Sequence, residues 1–227
     1  MTTKMTLASA KREAGFVSTG NSKMPGSSFA IDPFQCKTGA KLVDVKGSTC
    51  SRCYAIKIAK LRPSVRQSYV SNMEKALAGI GSNFESWARS IAFQIDKAVV
   101  KTGQPFHRWF DAGDLQSAEM LDAICRVAEL TPRVKHWLPT REAKIYSDWL
   151  KSGKRLPDNL IVRVSATMID GKPSNAFEHT STVSTKASLA SNKFAGQICE
   201  ASTRGGMCGP CRACWSTNVA NVTYPVH

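Results

Sequence analysis

The sequence predicts a single α/β domain with a parallel, partial (βα)6 barrel-like core. Three observations lead there. Short runs rich in β-branched and aromatic residues alternate with helical patterns from Phe106 to Ser165. Polar loops bearing Asp, Arg and Ser follow those runs. About six strands can be counted in all, too few for a closed eight-fold barrel. Strand, polar loop, helix and strand at this spacing make βα units, which imply a parallel sheet. A glycine-rich dinucleotide turn is missing, which argues against a doubly wound sheet.

Residues 1–27 are polar and basic, with Gly15, Gly20, Pro25 and Gly26, and read as an irregular arm preceding a domain over 28–227. Ser28–Asp32 is the first strand candidate and ends just before Cys36. A helix is predicted from Tyr54 to about Arg62, broken by Pro63 and resuming to Gly79. Asn83 caps the next helix, in which Phe84, Trp87, Ile91, Ile95 and Val99 recur at helical spacing. Phe106–Phe110, Val134–Leu138 and Leu160–Ser165 read as strands. Between them lie a helix capped by Ser117 and one carrying Ile145 and Trp149, ended by Gly153 and Pro157. Ser181–Ser184, Gly196–Cys199 and Val222–Tyr224 are weaker strand candidates.

The charge balance narrows the partners. Lys and Arg number 31 against 17 Asp and Glu, a net charge of +14, which favours polyanions and most economically nucleic acid. The excess is uneven: residues 1–80 hold 13 basic and 4 acidic side chains. Lys57, Lys60, Arg62 and Arg66 form a basic stripe, either a nucleic-acid contact or an ordinary solvated helix face. With neither a membrane-length apolar run nor a signal-peptide core, the sequence predicts a cytoplasmic protein without a membrane partner.

Eight cysteines stand out. Without a secretory signal they argue against a disulfide framework, and their grouping argues for metal. Cys208, Cys211 and Cys214 lie in two consecutive CxxC steps on a loop softened by Gly205, Gly206, Gly209 and Pro210. Cys199 supplies a fourth thiolate, as four-Cys iron–sulfur ligation requires; a structural zinc site is the alternative. Cys36 is separated by thirteen residues from the Cys50-Ser-Arg-Cys53 pair. Three cysteines in a loop after the first strand would leave one iron of a [4Fe–4S] cluster open to a ligand. Alternatively Cys50 and Cys53 belong to a zinc site, or share a single cluster with the C-terminal group. Cys125 falls in an apolar helical pattern and reads as a core thiol.

At the predicted strand ends, Asp111 and Asp114 flank Gly113 and could hold a cofactor's ammonium, ribose hydroxyls or a hard metal. Turn formation and helix N-terminal charge explain them equally. Arg141 suits a carboxylate or phosphate, or a solvated helix start, and Ser165 sits at the end of its strand.

The ordered motifs Phe-Gln-Cys36, Cys50-Ser-Arg-Cys53-Tyr-Ala, Arg108-Trp-Phe-Asp-Ala-Gly-Asp114-Leu, Trp137-Leu-Pro-Thr-Arg141 and Cys208-Gly-Pro-Cys-Arg-Ala-Cys-Trp215 resemble the phage family called gene product 88. That resemblance runs from about residue 24 to the end and implies a viral context, not a reaction. More distantly the chain resembles radical S-adenosylmethionine enzymes, which have a partial (βα)6 barrel and a three-cysteine loop after the first strand. By that likeness Cys36, Cys50 and Cys53 would hold the cluster that binds S-adenosylmethionine, with Asp111, Gly113, Asp114, Arg141 and Ser165 about the cofactor. The thirteen-residue first gap and Arg52, where an aromatic residue is usual, depart from that pattern. Two functions follow: a radical-type enzyme acting on a nucleotide or nucleic acid, or a non-enzymatic iron–sulfur protein binding nucleic acid or a host protein.

Overall fold

The computed structural model describes residues 4–20 and 22–226. Eight strands form one sheet in the order β1-β2-β3-β4-β5-β6-β8-β7. They are β1 (Val17–Ser18), β2 (Ser27–Phe29), β3 (Phe106–Trp109), β4 (Lys135–Thr140), β5 (Leu160–Ser165), β6 (Thr180–Ser184), β7 (Gln197–Ile198) and β8 (Asn221–Pro225). Only the β1–β2 pairing is antiparallel. From β2 to β6 the neighbours follow chain order with no reversal, unlike a doubly wound sheet. Among the described residues β1 and β7 are edges, so the sheet is open rather than closed into a barrel.

Strand alternation divides the buried residues into two faces. Phe29, Trp109, Leu138, Val162 and Val164 pack with the helices in the main core. Trp137 and Ile161, one residue out of phase, pack instead with Trp215 of the cysteine-rich C-terminal segment. The helical side is dominated by α5 (Phe84–Thr102), whose Trp87, Ile91 and Ile95 are fully buried. Each such side chain contributes about 1.5–3 kcal/mol on burial. Asn83 caps α5 by accepting from the Ser86 N–H at 3.2 Å. Helices α6 (Ala118–Leu130) and α7 (Ala143–Lys151) fill the β3–β4 and β4–β5 crossovers. The break at Pro63 falls as the sequence indicates, between α3 (Tyr54–Leu61) and α4 (Pro63–Ser82).

Two parts of the chain differ from the sequence reading. The N-terminal stretch is not an irregular arm, because α1 (Leu7–Ala14) is set by a capping box between Thr6 and Ser9. Its Ala10 and Ala14 are buried, and α1 packs on α5. Buried Asn72 and Gln94 then accept from the N–H groups of Phe16 and Val17, which brings β1 to the sheet. The second difference is the β5–β6 connection, which carries no helix. That loop spends its backbone on the N-terminal cysteine segment: Thr49 N–H donates to Thr167 at 2.9 Å and Ile169 N–H to Gly47 at 2.9 Å.

Candidate functional site

The long first cysteine gap is closed by folding back. Asp32 caps a short turn at Pro33–Gln35, Cys36 follows, and α2 (Lys37–Leu42) leads away. Thr38 donates from its N–H and hydroxyl to Glu142 at 2.7 and 2.8 Å, pinning α2 to the start of α7. Ser48 donates to the Leu42 carbonyl at 2.6 Å and accepts from the N–H groups of Cys50 and Ser51, returning the chain. Cys36 and Cys50 thereby flank Gly39. A methyl there would lie 2.9 Å from the Cys36 Cβ and within 3.6 and 3.7 Å of the Sγ atoms of Cys50 and Cys36. Cys53 completes the group at the N-terminus of α3.

All three cysteines line one cavity of about 420 Å³. Its other walls are the C-terminal ends of the strands, where parallel α/β folds place their ligands. Burial, then the charges of Asp114, Cys53 and Cys50, push the Cys36 thiol up. Burial also raises Cys50, opposed by the Arg141 guanidinium. Buried thiols that raise one another's pKa become thiolates when a cation joins them, and metal binding then releases their protons.

Asp111, Gly113, Asp114, Arg141 and Ser165 all line this cavity, but not in one role. Asp114 is buried with both oxygens occupied: Oδ1 by the Thr140 hydroxyl (2.6 Å) and Leu115 N–H (2.7 Å), Oδ2 by Arg141 N–H (2.9 Å). Burial lifts its pKa to about 6 against those three donors. Asp114 therefore fixes the end of β4. Gly113, at φ +85°, meets Ile31 so closely that a Cβ would come within 2.8 Å of its carbonyl oxygen. Arg141 reaches back, its Nε donating to the Thr49 hydroxyl at 2.9 Å, and so couples β4 to the cysteine loop. Ser165 is 2.9 Å from the Ser181 hydroxyl. Asp111 accepts from Ser28 at 3.1 Å through Oδ2, whereas its Oδ1 is buried with no partner among the described residues.

Part of the C-terminal group packs on the sheet face of Trp137 and Ile161, where Cys214 and Trp215 lie. Cys208 N–H donates to the Lys23 carbonyl at 2.7 Å, and the Arg212 guanidinium lies over the Phe106 ring at 5.0 Å. Trp215 donates from Nε1 to the His107 carbonyl at 2.9 Å and packs edge-on against Phe106 and Trp137. Cys199, Cys208, Cys211 and Cys214 are electrostatic neighbours, and burial leads the causes that raise Cys208 and that lift Cys214 to about 11. The Tyr224 hydroxyl is 3.2 Å from the Cys214 sulfur. Tyr224 also lines the cysteine cavity on its other side.

Two arginines that sequence reasoning passed over organise this face. Arg163 is fully buried and donates to five carbonyls: Ala213, Cys214, Ser216, Thr180 and Ala220. Arg108 stacks on Trp137 at 4.7 Å, and its Nε is buried without a partner among the described residues. Neither forms an ion pair with a carboxylate among the described residues. Both charges lower the Cys214 pKa against burial, and Arg108 also faces Tyr54 and Asp111. Buried cations are costly without anions, and thiolates are the anions this donor set offers. The available signal was a charged residue inside an apolar strand, since Arg is rarely buried unpaired.

Among the described residues no three His, Cys, Asp or Glu side chains stand as a ready metal-ligand set. The residue types still suit thiolate ligation: Cys36 and Cys50 meet at Gly39 with Cys53 in the same cavity, and the four C-terminal thiols lie near Arg108 and Arg163. Cys125, by contrast, is an isolated core thiol of α6, raised to about 12 chiefly by burial.

The family model described as gene product 88 matches residues 2–217 of this chain. No curated protein and no solved structure matches it. No helix of the described residues is long and apolar enough to cross a membrane.

Proposed function

The chain belongs to the gene product 88 family, and we propose that it is an iron–sulfur protein whose N-terminal cysteines form the reacting site. In this reading Cys36, Cys50 and Cys53 hold one [4Fe–4S] cluster, and Cys199, Cys208, Cys211 and Cys214 hold a second. The observation that carries it is the Gly39 cradle, where two thiols converge on a space that a single methyl would fill, at the wall of a cavity lined by all three cysteines. A cluster with three protein ligands leaves one iron open to a small polar cofactor, and S-adenosylmethionine is the cofactor consistent with the likeness to radical enzymes. Six parallel strands, β2 to β6 and then β8, adjoin in chain order, which supports a partial (βα)6 barrel as the finer description.

The protein's own groups then divide the work. Arg141 and Thr49 hold the cysteine loop against β4. Asp111 and the Ser165–Ser181 pair offer polar contacts to whatever enters the cavity. Tyr224 and Arg108 line this cavity, and the Tyr224 hydroxyl lies 3.2 Å from the Cys214 sulfur. The substrate class that matches the basic excess is a nucleotide or nucleic acid.

Anaerobic reconstitution tests the reading. The protein should be brown, with iron and sulfide in equal amounts, near four of each per group. Replacing Cys36, Cys50 and Cys53 with Ala should halve the iron. After reduction, S-adenosylmethionine should change the cluster's EPR signal and yield 5′-deoxyadenosine. Colourless protein with one zinc per chain overturns the iron–sulfur assignment. Two clusters with no response to S-adenosylmethionine overturn the enzyme and leave a cluster protein that binds nucleic acid or a host protein.

A further inference from the structure

Residues 37–66 contain eight Lys and Arg and one acid, Asp44, so this stretch carries half of the chain's net +14. All eight basic side chains are exposed. Among the described residues none of them forms an ion pair; the ion pairs lie on α5–α7, on Lys154, His179 and in the Cys199–Cys208 loop. The stretch is also the one that frames the cysteine cavity. Gly39 of α2, Val43 just after it, Arg52, and Cys53, Ala55 and Ile56 at the start of α3 line it. The outward faces of the same helices carry Lys37, Lys41, Lys57 and Lys60, followed by Arg62 and Arg66. Arg52 of this stretch lines the cavity itself, the other cations lie on the solvent side of the segments that wall it, and Tyr54, 52% exposed, is also in the lining.

The floor is built differently. The Arg108 guanidinium carbon lies 4.7 Å from the Trp137 ring centroid, and the Nε–H has no acceptor among the described residues. Asp111 also lines the cavity, and its Oδ1, covered from solvent like the Arg108 Nε, has no donor among the described residues. A donor and an acceptor left unpaired in one recess match a ligand edge that carries an acceptor beside a donor. Nucleobase edges have that pattern, and phosphate does not.

We propose that the cationic rim carries the backbone of a single-stranded nucleic acid and that one unpaired base enters the cavity, its edge read by Arg108 and Asp111. The proposal deepens the functional reading above by naming the substrate of the same site. Phosphates bind exposed Lys and Arg through counterion release, without regard to sequence. Exposed aromatic rings such as Tyr54 offer bases a stacking surface. A base inside a duplex cannot reach a recessed floor without leaving the stack, so the single strand is the form that fits.

Fluorescence anisotropy with labelled single strands of about twelve nucleotides, a length within the range single-strand sites occupy, tests both parts on the full chain. Each phosphate contact contributes about −0.7 to the slope of log affinity against log salt for single strands. Reversing Lys57, Lys60, Arg62 and Arg66 to Glu should therefore flatten the slope by about 3. Reversing Lys97, Lys101, Lys135 and Lys151, on the other side of the molecule, should leave it nearly unchanged. Asp111→Asn keeps the bond from Ser28 and turns an amide N–H₂ toward the cavity where Oδ1 was. The preference among dA, dC and dT homopolymers should then change by about tenfold with the salt slope intact.

Equal loss of binding in both four-site variants overturns the rim assignment, as does duplex binding as tight as single-strand binding. Binding of anionic lipid vesicles, but not oligonucleotides, through the same four residues makes the rim a membrane contact and overturns the proposal. An unchanged homopolymer ranking in Asp111→Asn overturns base entry. Oligonucleotide binding is read without reference to iron, so colourless protein that still binds the strand sinks the cluster reading alone. Iron-loaded protein that ignores the strand sinks this proposal alone.

Discussion

Arg163→Met should be the most damaging single change on the face opposite the helices. The guanidinium is fully buried and donates to five carbonyls at 2.7–3.4 Å, three of them, at Ala213, Cys214 and Ser216, in the cysteine-rich segment. Some of those carbonyls keep a second donor: Ser216 N–H for Ala213, Val219 N–H for Ser216 and Thr180 N–H for Ala220. The Cys214 carbonyl keeps none of these. An orphaned buried acceptor costs about 1–3 kcal/mol, and each lost bond from a charged donor about 1.5–3 kcal/mol before compensation. Relief from burying a cation returns several kcal/mol of that total. The net expectation is about 3 kcal/mol in urea unfolding followed by far-UV circular dichroism. Arg163→Lys should recover less than half, because an ammonium cannot span carbonyls arranged for a planar fork. The loss should also be local, with metal leaving the C-terminal thiols before global unfolding. A Met variant within about 0.5 kcal/mol of the parent, a change typical of ordinary surface substitutions, with its full metal content, would refute the clamp.

Three further outcomes follow. Gly39→Ala should lower the iron held by the N-terminal group, since its Cβ falls 2.9 Å from the Cys36 Cβ; Gly81→Ala, in open space on α4, should leave iron unchanged and raise stability by about 0.5–1 kcal/mol. Stability should fall on acidification below the ordinary histidine pKa of 6.5, because burial holds His136 down to about 3 and holds His107 well below normal. The unfolded chain takes up protons that the native rings refuse, so His136 alone costs about 2 kcal/mol between pH 6.5 and 5 in urea titrations, and His136→Asn should flatten that slope. Asp114→Ala should weaken activity and iron retention together by freeing Thr140 and the Arg141 N–H, with little loss of strand binding; selective loss of strand binding instead would make Asp114 a ligand contact.

The fold was legible where one periodicity dominated. Leu160–Ser165 matches its sequence-derived bounds because a continuous apolar run between turns permits little else, and Asn83 and Ser117 cap as read because their oxygens accept the N–H three residues on. What escaped depended on distant partners. The pair Val17–Ser18 becomes a strand only because β2 lies alongside and Gln94 accepts from Val17. The shortness of α2 hides it from any helical period, and its place is fixed by Glu142, over a hundred residues away.

The same distinction governs the site. The grouping of the cysteines was visible because they cluster in the sequence itself, in two sets whose members the fold keeps near one another. The thirteen-residue gap looked like a departure from a tight three-cysteine loop, yet α2 folds inside it and returns Cys50 to Cys36 across Gly39. Spacing in sequence measures the path of the chain, whereas ligation needs only that the ends meet. Asp114 shows the converse. It occupies a strand-end position suited to a ligand, but spends both oxygens on Thr140, Leu115 and Arg141. A carboxylate's address is therefore weaker testimony than its unspent lone pairs. By that standard Asp111, with one buried oxygen unclaimed, Arg108, with an unclaimed Nε, and Trp137, with an unclaimed Nε1, are groups of this cavity lining that lack a partner among the described residues.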